Sequence, residues 1–383
     1  MGITQLDIKG FRSLKDVTWK PGALNVLIGA NGSGKSNLLR FLELMVVAAE
    51  GGLGKHVQSL GGIDAIRWDG QADQVSFKVS WDGEVHIADN YGLRLSVFGP
   101  IYMVTSEVLT NRTSGAVLIE RTMLEGRIRE DVSEIWRELK RQSLFPEETL
   151  LSAVSTNFVD LYNVPTFRFE LSSITVYHDV QVGRAAPMRQ PAVTRYEKRI
   201  DPDGQNLISV LHTLYTGDRE FERNVDQAMR AAFGDDYEKL VFPPAADQRI
   251  QLRVRWRSLK REQSAADLSD GTLRFLFLIT ALATPDPPPV IAIDEPEVGL
   301  HPSMLPIIAE FAADAALRSQ VVLTTHSPQL LDAFTELKPT TTVMRWENGE
   351  TVLRNLNGDE LDYWLQGYTL GKLFKSGELE SMA

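Results

Sequence analysis

A glycine-rich segment near the amino terminus carries the residue types that bind phosphate. It reads Gly29-Ala30-Asn31-Gly32-Ser33-Gly34-Lys35-Ser36. This is the pattern G-x-x-x-x-G-K-[ST], in which glycines let successive backbone N–H groups curl around phosphate oxygens. Lys35 can reach the β- and γ-phosphates of a nucleotide, and the Ser36 hydroxyl can ligate Mg²⁺. We name residues 29–36 the phosphate loop. The expected nucleotide-binding residues here are Asn31, Gly32, Ser33, Gly34, Lys35, Ser36 and Asn37.

The segments on either side of the phosphate loop support this interpretation. Residues 25–28 form an apolar run typical of a buried strand, and residues 38–50 have helical spacing. The loop therefore leads into the N-terminus of a helix, where unpaired N–H groups and the helix dipole favour negative charge.

A second apolar run, Val290–Ile293, ends in two carboxylates, Asp294 and Glu295. A nucleotide site needs carboxylates at the C-terminal end of a parallel strand, one for Mg²⁺ and one for the attacking water. We expect Asp294 to ligate the metal and Glu295 to act as the general base.

Two further segments carry polar groups at the ends of apolar elements. Leu268-Ser269-Asp270-Gly271-Thr272 precedes an apolar helix over residues 273–282, with Ser269 as its predicted N-cap. We name residues 268–272 the signature segment. The run Val321–Thr325 ends in His326. Only one predicted helix, over residues 303–317, separates this strand from the Asp294 strand, so the two strands can be neighbours with both polar ends on one edge.

The order of these motifs resembles the ATPase heads of the ABC superfamily, and more narrowly its SMC, RecF and OLD-like branch. The segments 8–13 and 294–302 are typical of that branch. The resemblance anchors residues 1–50 and 260–335. It implies an α/β phosphate-loop NTPase fold with a mixed core sheet. Alternating patterns over residues 75–104, with one strand over residues 85–88, predict an antiparallel β portion. Apolar spacing over residues 127–161 predicts a helical insert, with 135, 136, 139 and 144 on the face of one helix and residues 150–161 in a second. We predict three parts: an N-terminal ATPase lobe with the phosphate loop over residues 1–125, a helical insert or lid over residues 126–248, and a C-terminal ATPase lobe with the signature segment, Asp294, Glu295 and His326 over residues 249–383.

The resemblance also implies a role for each motif, with ATP and Mg²⁺ as cofactors. Lys35 and Ser36 hold phosphate and Mg²⁺, Asp294 supports Mg²⁺, Glu295 activates water, and His326 contacts the γ-phosphate. Arg12 resembles a basic residue that reaches the nucleotide in these heads, consistent with an arginine as a permanent charge stabiliser. Ser269 and Gly271 would cap the ATP of a partner protomer, so the expected catalytic unit is a head-to-tail homodimer.

The sequence departs from the family pattern in several places. Asp270 places a negative charge in the signature segment. The glutamine that couples Mg²⁺ to the insert is either Gln181 or Gln190. No heptad run is present for coiled-coil arms, and the cluster Asp359-Glu360-Leu361-Asp362 is too small to build a Toprim nuclease domain.

Composition and charge bound the remaining interpretation. The 383 residues are 43% hydrophobic, contain no cysteine and carry a formal net charge of −11. No apolar run approaches the ~20 residues that span a bilayer, so we expect a soluble cytoplasmic protein without a membrane partner. Net negative charge opposes non-specific nucleic-acid binding. A predicted strand over residues 250–256 nevertheless carries a basic face with Arg249, Arg253, Arg255 and Arg257; this is either a solvated strand face or a phosphate-tracking surface.

The motifs do not specify what ATP hydrolysis drives. One hypothesis is a sensor or scaffold that holds a separately encoded effector protein, such as a nuclease or toxin in bacterial defence. A second is a nucleic-acid-binding repair ATPase. A third, a transporter subunit, is disfavoured because the signature segment lacks glutamine and no aromatic stacking residue precedes the phosphate loop.

Overall fold

The computed structural model describes residues 2–83, 90–111, 114–130, 134–139, 144–154, 162–356 and 358–382. The chain forms two compact units. The first comprises Met1–Ile174 and Thr340–Leu356, and the second comprises Thr175–Pro339 and Asn357–Met382. The predicted division into residues 1–125, 126–248 and 249–383 stays a prediction.

The strands are numbered in chain order. They are β1 (Gly2–Phe11), β2 (Leu14–Trp19), β3 (Leu24–Ile28), β4 (Gln74–Asp82), β5 (Asn90–Phe98), β6 (Ile101–Thr110), β7 (Val117–Thr122), β8 (Gly126–Arg129), β9 (Trp136–Leu139), β10 (Thr175–Tyr177), β11 (Ala192–Val193), β12 (Tyr237–Val241), β13 (Arg249–Ile250), β14 (Arg253–Trp256), β15 (Gln263–Ser264), β16 (Val290–Ile293), β17 (Gln320–Thr324), β18 (Thr340–Glu347) and β19 (Glu350–Asn355).

The α-helices are numbered in the same way. They are α1 (Lys35–Glu50), α2 (Leu53–Ser59), α3 (Ile63–Ile66), α4 (Leu150–Ala153), α5 (Asn163–Ser172), α6 (Leu207–Gly217), α7 (Arg219–Phe233), α8 (Asp270–Ala283), α9 (Leu305–Ala315), α10 (Pro328–Ala333), α11 (Gly358–Leu365), α12 (Leu370–Ser376) and α13 (Glu378–Met382).

An antiparallel sheet dominates the first unit, with the order β2-β1-β4-β5-β6-β7-β8-β9. Strict alternation in the sequence explains its two faces: along β4, the side chains of Val75, Phe77, Val79 and Trp81 are buried and their neighbours are more exposed. Helix α1 packs on the apolar face, where Phe41 makes edge-to-face contacts with Phe11 and Phe77. The predicted antiparallel β portion is confirmed.

The strand that precedes the phosphate loop has a different environment. Every residue of β3 is buried. It runs parallel to β18, which is antiparallel to β19, so this part of the first unit is a mixed sheet. A strand buried along its whole length places the loop that follows it in a fixed position.

Three parallel strands form the centre of the second unit. β10 pairs with β16, and β16 pairs with β17, with Ile293 opposite both Tyr177 and Leu323. All residues of β16 and β17 are buried, as expected for parallel strands covered on both faces. The register confirms that the segments following Tyr177, Ile293 and Leu323 emerge at one edge of these strands.

The expected helical insert over residues 127–161 is wrong for most of its described part. Residues 126–129 and 136–139 are β8 and β9, which pair with each other and extend the antiparallel sheet. The apolar residues at 135, 136 and 139 suggested a helical face, but cross-strand pairing overrode that spacing. Helix α4 spans Leu150–Ala153, and the rest of the predicted second helix, residues 155–161, lies outside the described residues, as does the predicted strand over residues 85–88.

The predicted basic strand is also divided in the structure. Arg249 belongs to β13, which pairs with β11, whereas Arg253 and Arg255 belong to β14, which pairs with β12 and β15. The arginines therefore do not share one strand face. Among the helices of the described residues, none is long and apolar enough to cross a membrane.

Candidate nucleotide site

The phosphate loop connects β3 to α1, and two of its glycines are required by the local geometry. Gly29 has φ 149°, and a Cβ there would lie 2.0 Å from the carbonyl oxygen of Met344. Gly34 has φ 105°, and a Cβ there would lie 2.2 Å from Oγ1 of Thr351. Only glycine satisfies both the backbone conformation and the close packing at these positions.

The loop provides anion-binding chemistry at the N-terminus of α1. Gly34, the N-cap residue, supplies no side-chain acceptor, and the first turn contains no acidic residue, so the first N–H groups are not satisfied by a side-chain cap. The Oγ atom of Ser33 is buried and lacks a hydrogen-bond partner among the described residues. Asn31 and Gly32 are exposed, and Ser36 is half-buried at the start of the helix. These features fit a bound phosphate group.

Lys35 lies across the phosphate loop. Its side chain is buried, and Nζ donates to the carbonyl oxygens of Gly29 at 2.9 Å and Ala30 at 3.2 Å. These bonds hold the ammonium group beside the loop that the sequence assigns to phosphate. A cation in a buried position keeps a stronger electrostatic interaction than one in bulk water.

Thr351, which lies outside the motif, supports the phosphate loop, and the sequence analysis did not identify it. The Oγ1 atom of Thr351 on β19 donates to the carbonyl oxygen of Ser33 at 2.9 Å and lies 2.7 Å from Oγ of Ser13. Asn37, predicted to bind nucleotide, donates its amide to Oγ of Ser13 at 2.8 Å. Because Thr351 is distant in the chain, no local pattern marks its contact with the loop.

Arg12 occupies the tight turn after β1. It has φ 45°, and its backbone N–H donates to the carbonyl oxygen of Ile66 at 2.8 Å. Burial lowers the pKa of Arg12, and the neighbouring charge of Arg40 lowers it further, whereas Glu43 opposes the shift. The Nε atom is buried without a hydrogen-bond partner among the described residues. The predicted contact of Arg12 with nucleotide stays a prediction.

In the second unit, Asp294 and Glu295 directly follow β16. Asp294 donates its backbone N–H to the carbonyl oxygen of Tyr177 at 2.9 Å, which continues the pairing with β10. Its Oδ1 accepts a hydrogen bond from Oγ1 of Thr324, and its Oδ2 lies 3.4 Å from Nδ1 of His178. The sequence analysis identified neither partner.

Glu295 is held in an unusual backbone conformation. Its φ is 45°, in the left-handed region that side chains such as glutamate rarely adopt. Its backbone N–H donates to Oγ1 of Thr324 at 3.0 Å, and its Oε1 lies 3.6 Å from Nε2 of His326. We name Asp294, Glu295, Thr324 and His326 the carboxylate edge. Strain that the surroundings maintain is common at catalytic positions.

Glu297 fixes the segment that carries the histidine. Its Oε1 accepts from Oγ1 of Thr325 at 2.6 Å, from the N–H of His326 at 2.9 Å and from the N–H of Ser327 at 3.2 Å. One carboxylate oxygen therefore holds three successive residues beyond β17. A carboxylate with several backbone donors is a strong anchor.

Arg274 on α8 interacts electrostatically with the carboxylates that follow β16. Burial lowers the pKa of Arg274, and the nearby Glu297, Glu295, Asp179 and Asp294 oppose that shift, with Glu297 the strongest of them. No ion pair within 4.0 Å joins Arg274 to a carboxylate in the described part of the chain. From the sequence, Arg274 was only one position of the predicted apolar helix over residues 273–282, and no local pattern marked its interaction with the carboxylates.

The signature segment forms the start of α8. Ser269 is the N-cap, as predicted, and its Oγ accepts from the N–H of Thr272 at 3.1 Å. A Cβ on Gly271 would lie 2.6 Å from the carbonyl oxygen of Gly299, so glycine allows the first turn of α8 to approach the segment after the carboxylates. Sequence-predicted Ser269 and Gly271 thus lie beside each other in one turn.

A buried arginine compensates the unusual Asp270. The side chain of Arg189 is 4% exposed and forms an ion pair with Asp270, whose side chain is 65% exposed. The same guanidinium donates to the carbonyl oxygens of Leu268 at 2.7 Å and Val182 at 2.7 Å. The negative charge in the signature segment is therefore neutralised by a fixed partner, and Arg189 supports this turn.

The two candidate glutamines differ in their place along the chain. β10 ends at Tyr177, beside Asp294, and Gln181 follows four residues later, whereas Gln190 follows the short 3₁₀ helix Pro187–Arg189. Gln181 lines a cavity of about 50 Å³ together with Asp179 and Asp203. The choice between Gln181 and Gln190 as the residue that couples Mg²⁺ to the insert stays a prediction.

The basic residues of β13 and β14 are largely engaged with the protein. Arg255 lies 2.5 Å from Glu262 and 4.0 Å from Glu238, and Arg253 donates to Oε1 of Gln251. Arg249 donates to the carbonyl oxygen of Pro191 at 3.5 Å, and Arg257 is exposed. Two carboxylates beside Arg255 reduce the positive charge available for nucleic acid.

Solved structures of SMC heads share this fold. An Smc head described as bound to the C-winged helix domain of ScpA has 15% identity and a TM-score of 0.55, covering 94% of this chain and 99% of that chain. An Smc head with an extended coiled coil, bound to the C-terminal domain of ScpA derived from Pyrococcus furiosus, has 14% identity, a TM-score of 0.57 and coverages of 96% and 99%. An Smc head with a coiled coil and joint, derived from Pyrococcus yayanosii, has 12% identity and a TM-score of 0.52. The match covers 96% of this chain and 99% of that chain.

The fold is that of the SMC heads, and the family models that match the chain are those of AAA-type ATPases. Residues 139–332, just over half of the chain, match the family model described as "AAA domain, putative AbiEii toxin, Type IV TA system", and the chain belongs to that family. Residues 1–107 match the model of an AAA ATPase domain. No curated protein sequence matches the chain.

Proposed function

We propose that this ATPase is a switch that binds ATP with Mg²⁺, closes as a head-to-tail homodimer and opens on hydrolysis. The observation that carries the proposal is the carboxylate edge, in which Thr324 contacts both Asp294 and Glu295, and His326 lies beside Glu295. In this scheme Lys35 binds the β- and γ-phosphates, as the phosphate loop pattern predicts.

Glu295 is the proposed general base. Its left-handed backbone conformation and the bond of its N–H to Thr324 fix the backbone at the end of β16. A base must lie within hydrogen-bond reach of the water it deprotonates. His326, 3.6 Å from Glu295, orients that carboxylate and contacts the γ-phosphate in the proposed mechanism.

The donor set fits Mg²⁺. This ion is bound in proteins by one or two carboxylates together with substrate phosphates and water, and Asp294 and Ser36 supply a carboxylate and a hydroxyl for it. Bound Mg²⁺ neutralises the charge of the phosphate oxygens.

The dimer rests on the signature segment. The first turn of α8 has N–H groups with partial positive charge, and Ser269 adds a hydroxyl. In the proposed dimer this turn meets the γ-phosphate bound by the partner. Ser269→Arg should then block ATP-driven closure by its bulk and leave nucleotide binding at Lys35 nearly intact.

Mixing two inactive variants tests this arrangement. A dimer of Ser269→Arg and Lys35→Ala chains contains one site with both lesions and one site assembled from undamaged halves. Part of the hydrolysis should return on mixing if a single site can act. Hydrolysis by a strictly monomeric protein, unaffected by Ser269→Arg, would refute the shared site.

The proposed output is control of a separately encoded effector protein in bacterial defence, in the cytoplasm. The family description names a toxin of a type IV toxin–antitoxin system, which supports a setting in which one protein restrains another. SMC heads of similar fold are described as bound to the separate protein ScpA. Affinity purification from the native host with Glu295→Gln, in which the ATP-bound form accumulates, should enrich such a partner over Lys35→Ala.

A nucleic-acid-binding function is the second candidate, supported by the exposed side chains of Arg249 and Arg257. Mobility-shift assays with DNA and RNA separate it from the first. Binding that weakens with salt and is lost in Arg249→Ala/Arg257→Ala would favour it.

A further inference from the structure

Two buried polar atoms beside the carboxylate edge have no partner. Oε1 of Glu297 accepts three hydrogen bonds from residues 325–327, but its Oε2 is buried and accepts none in the described part of the chain. The Nε atom of Arg274 is also buried and donates to no described residue. An unsatisfied buried polar group costs about 1–3 kcal/mol, so an unpaired acceptor and an unpaired donor in one region require an explanation.

The two groups act on each other electrostatically. Four carboxylates raise the pKa of Arg274 by their negative charge, and Glu297 has the largest effect of the four. The separation nevertheless exceeds 4.0 Å, since no ion pair between them is formed in the structure. A small displacement of one element toward the other would satisfy both atoms with one charge-assisted hydrogen bond.

The elements that carry the two groups already meet. Arg274 is the fifth residue of α8, the helix that begins with the signature segment. Glu297 belongs to the segment after β16, and this segment contacts the first turn of α8 through the close approach of Gly271 to Gly299. A movement of α8 therefore changes the distance between Arg274 and Glu297 directly.

We propose that Arg274 is a positioning residue whose ion pair with Glu297 couples the signature helix to His326. When α8 moves on nucleotide-driven closure, Arg274 pairs with Oε2 of Glu297. Glu297 then holds the backbone of His326 more rigidly through its other oxygen, which fixes His326 against Glu295. This inference rests on the proposed roles of Glu295 and His326 in hydrolysis.

A double-mutant cycle tests the pair. We expect Arg274→Met and Glu297→Gln each to lower kcat for ATP hydrolysis about tenfold, with KM and the affinity for a fluorescent ATP analogue changed less than about twofold. The double variant should be no slower than the slower single variant, because both changes remove the same interaction. Arg274→Lys, which keeps the charge, should recover part of the rate.

Controls separate the possible failures. Arg318→Met removes an arginine of the same unit that pairs with Asp314, and should retain the wild-type kcat. Glu295→Gln is assayed in parallel. If Glu295→Gln abolishes hydrolysis while Arg274→Met does not change kcat, the coupling proposal is wrong and the proposed function stands.

If Glu295→Gln hydrolyses ATP at the wild-type rate, the proposed function itself fails. Rate losses that multiply in the double variant, or losses that appear in KM, would also overturn the coupling. Should Arg274→Met fail to fold, the near-isosteric Glu297→Gln in the Arg274→Lys background keeps the comparison of kcat with KM available.

Discussion

The charged side chains make shorter contacts in the phosphate loop than between the carboxylates and histidines of the second unit. In the loop, Lys35 donates to two carbonyl oxygens, and Thr351 and Ser13 support the backbone with bonds of 2.7–2.9 Å. At the carboxylate edge, Glu295 is strained, and the contacts of Asp294 with His178 and of Glu295 with His326 are 3.4 and 3.6 Å long.

This difference separates binding from reaction. A cradle for phosphate works best when it is pre-organised, because binding then requires little ordering. A catalytic group can instead improve its contacts as the reaction complex forms, and hydrogen bonds at catalytic sites are often long before the substrate is in place. We therefore expect substitutions in the loop to affect affinity and substitutions at the edge to affect turnover.

The sharpest test of this contrast is Glu295→Gln. It removes the proposed base and keeps the size of the side chain, so ATP hydrolysis should fall about 100-fold or more while ATP binding is retained. Single-turnover hydrolysis and equilibrium nucleotide binding measure the two effects separately. Turnover equal to that of the wild type would mean that Glu295 is not the base.

Lys35→Ala should lose ATP affinity, and hydrolysis with it. Removing a charged donor to the phosphates should weaken ATP affinity about 10- to 150-fold, equivalent to the ~1.5–3 kcal/mol of a charged hydrogen bond. Calorimetric titration with ATP measures this, and circular dichroism checks that the fold is intact. An unchanged affinity would contradict the phosphate-loop assignment.

His178→Phe tests the support of Asp294. Loss of the ring nitrogen near Oδ2 should raise the Mg²⁺ concentration for half-maximal hydrolysis about threefold to tenfold, below the ~10–100-fold effect of strong outer-shell partners because the contact is long. His212→Phe on α6 is the matched control. A Mg²⁺ dependence equal to that of the control would assign His178 to packing alone.

Thr351→Val should produce the smallest effect. It removes two hydrogen bonds that support the phosphate loop and keeps the shape of the side chain. ATP affinity should fall about twofold to tenfold, since one net hydrogen bond contributes ~0.5–1.5 kcal/mol. Thr351→Ser retains the hydroxyl and should bind ATP with the affinity of the wild type. If Thr351→Val lowered kcat and left ATP affinity unchanged, the assignment of binding to the loop and turnover to the carboxylate edge would be wrong.

The sequence predicted the local motifs well because each depends on a short stretch of chain. The strand, loop and helix around Lys35 and the N-cap at Ser269 follow from spacing and glycine content. The adjacency of the Asp294 and His326 strands followed from the single helix between them. The ATPase assignment came from the order of these motifs.

The contacts between distant segments could not be predicted in the same way. Thr351, His178 and Arg189 reach their partners only through the tertiary fold, and their residue types are common on any surface. The helix predicted over residues 136–139 was wrong for a related reason. This short segment has mixed polarity, and it forms β9 because it pairs with β8.

The hydroxyl of Thr324 links Asp294 to Glu295 through two hydrogen bonds. That hydroxyl has a single hydrogen, which it donates to Asp294, so the oxygen lone pairs remain for the N–H of Glu295. Any event that takes the Asp294 oxygen away or protonates it frees the hydroxyl to rotate, and the N–H that depends on it loses alignment. The left-handed backbone conformation of Glu295 therefore depends on whether Asp294 accepts the hydrogen bond from Thr324. We expect the two carboxylates to respond to ligands together and not as independent residues.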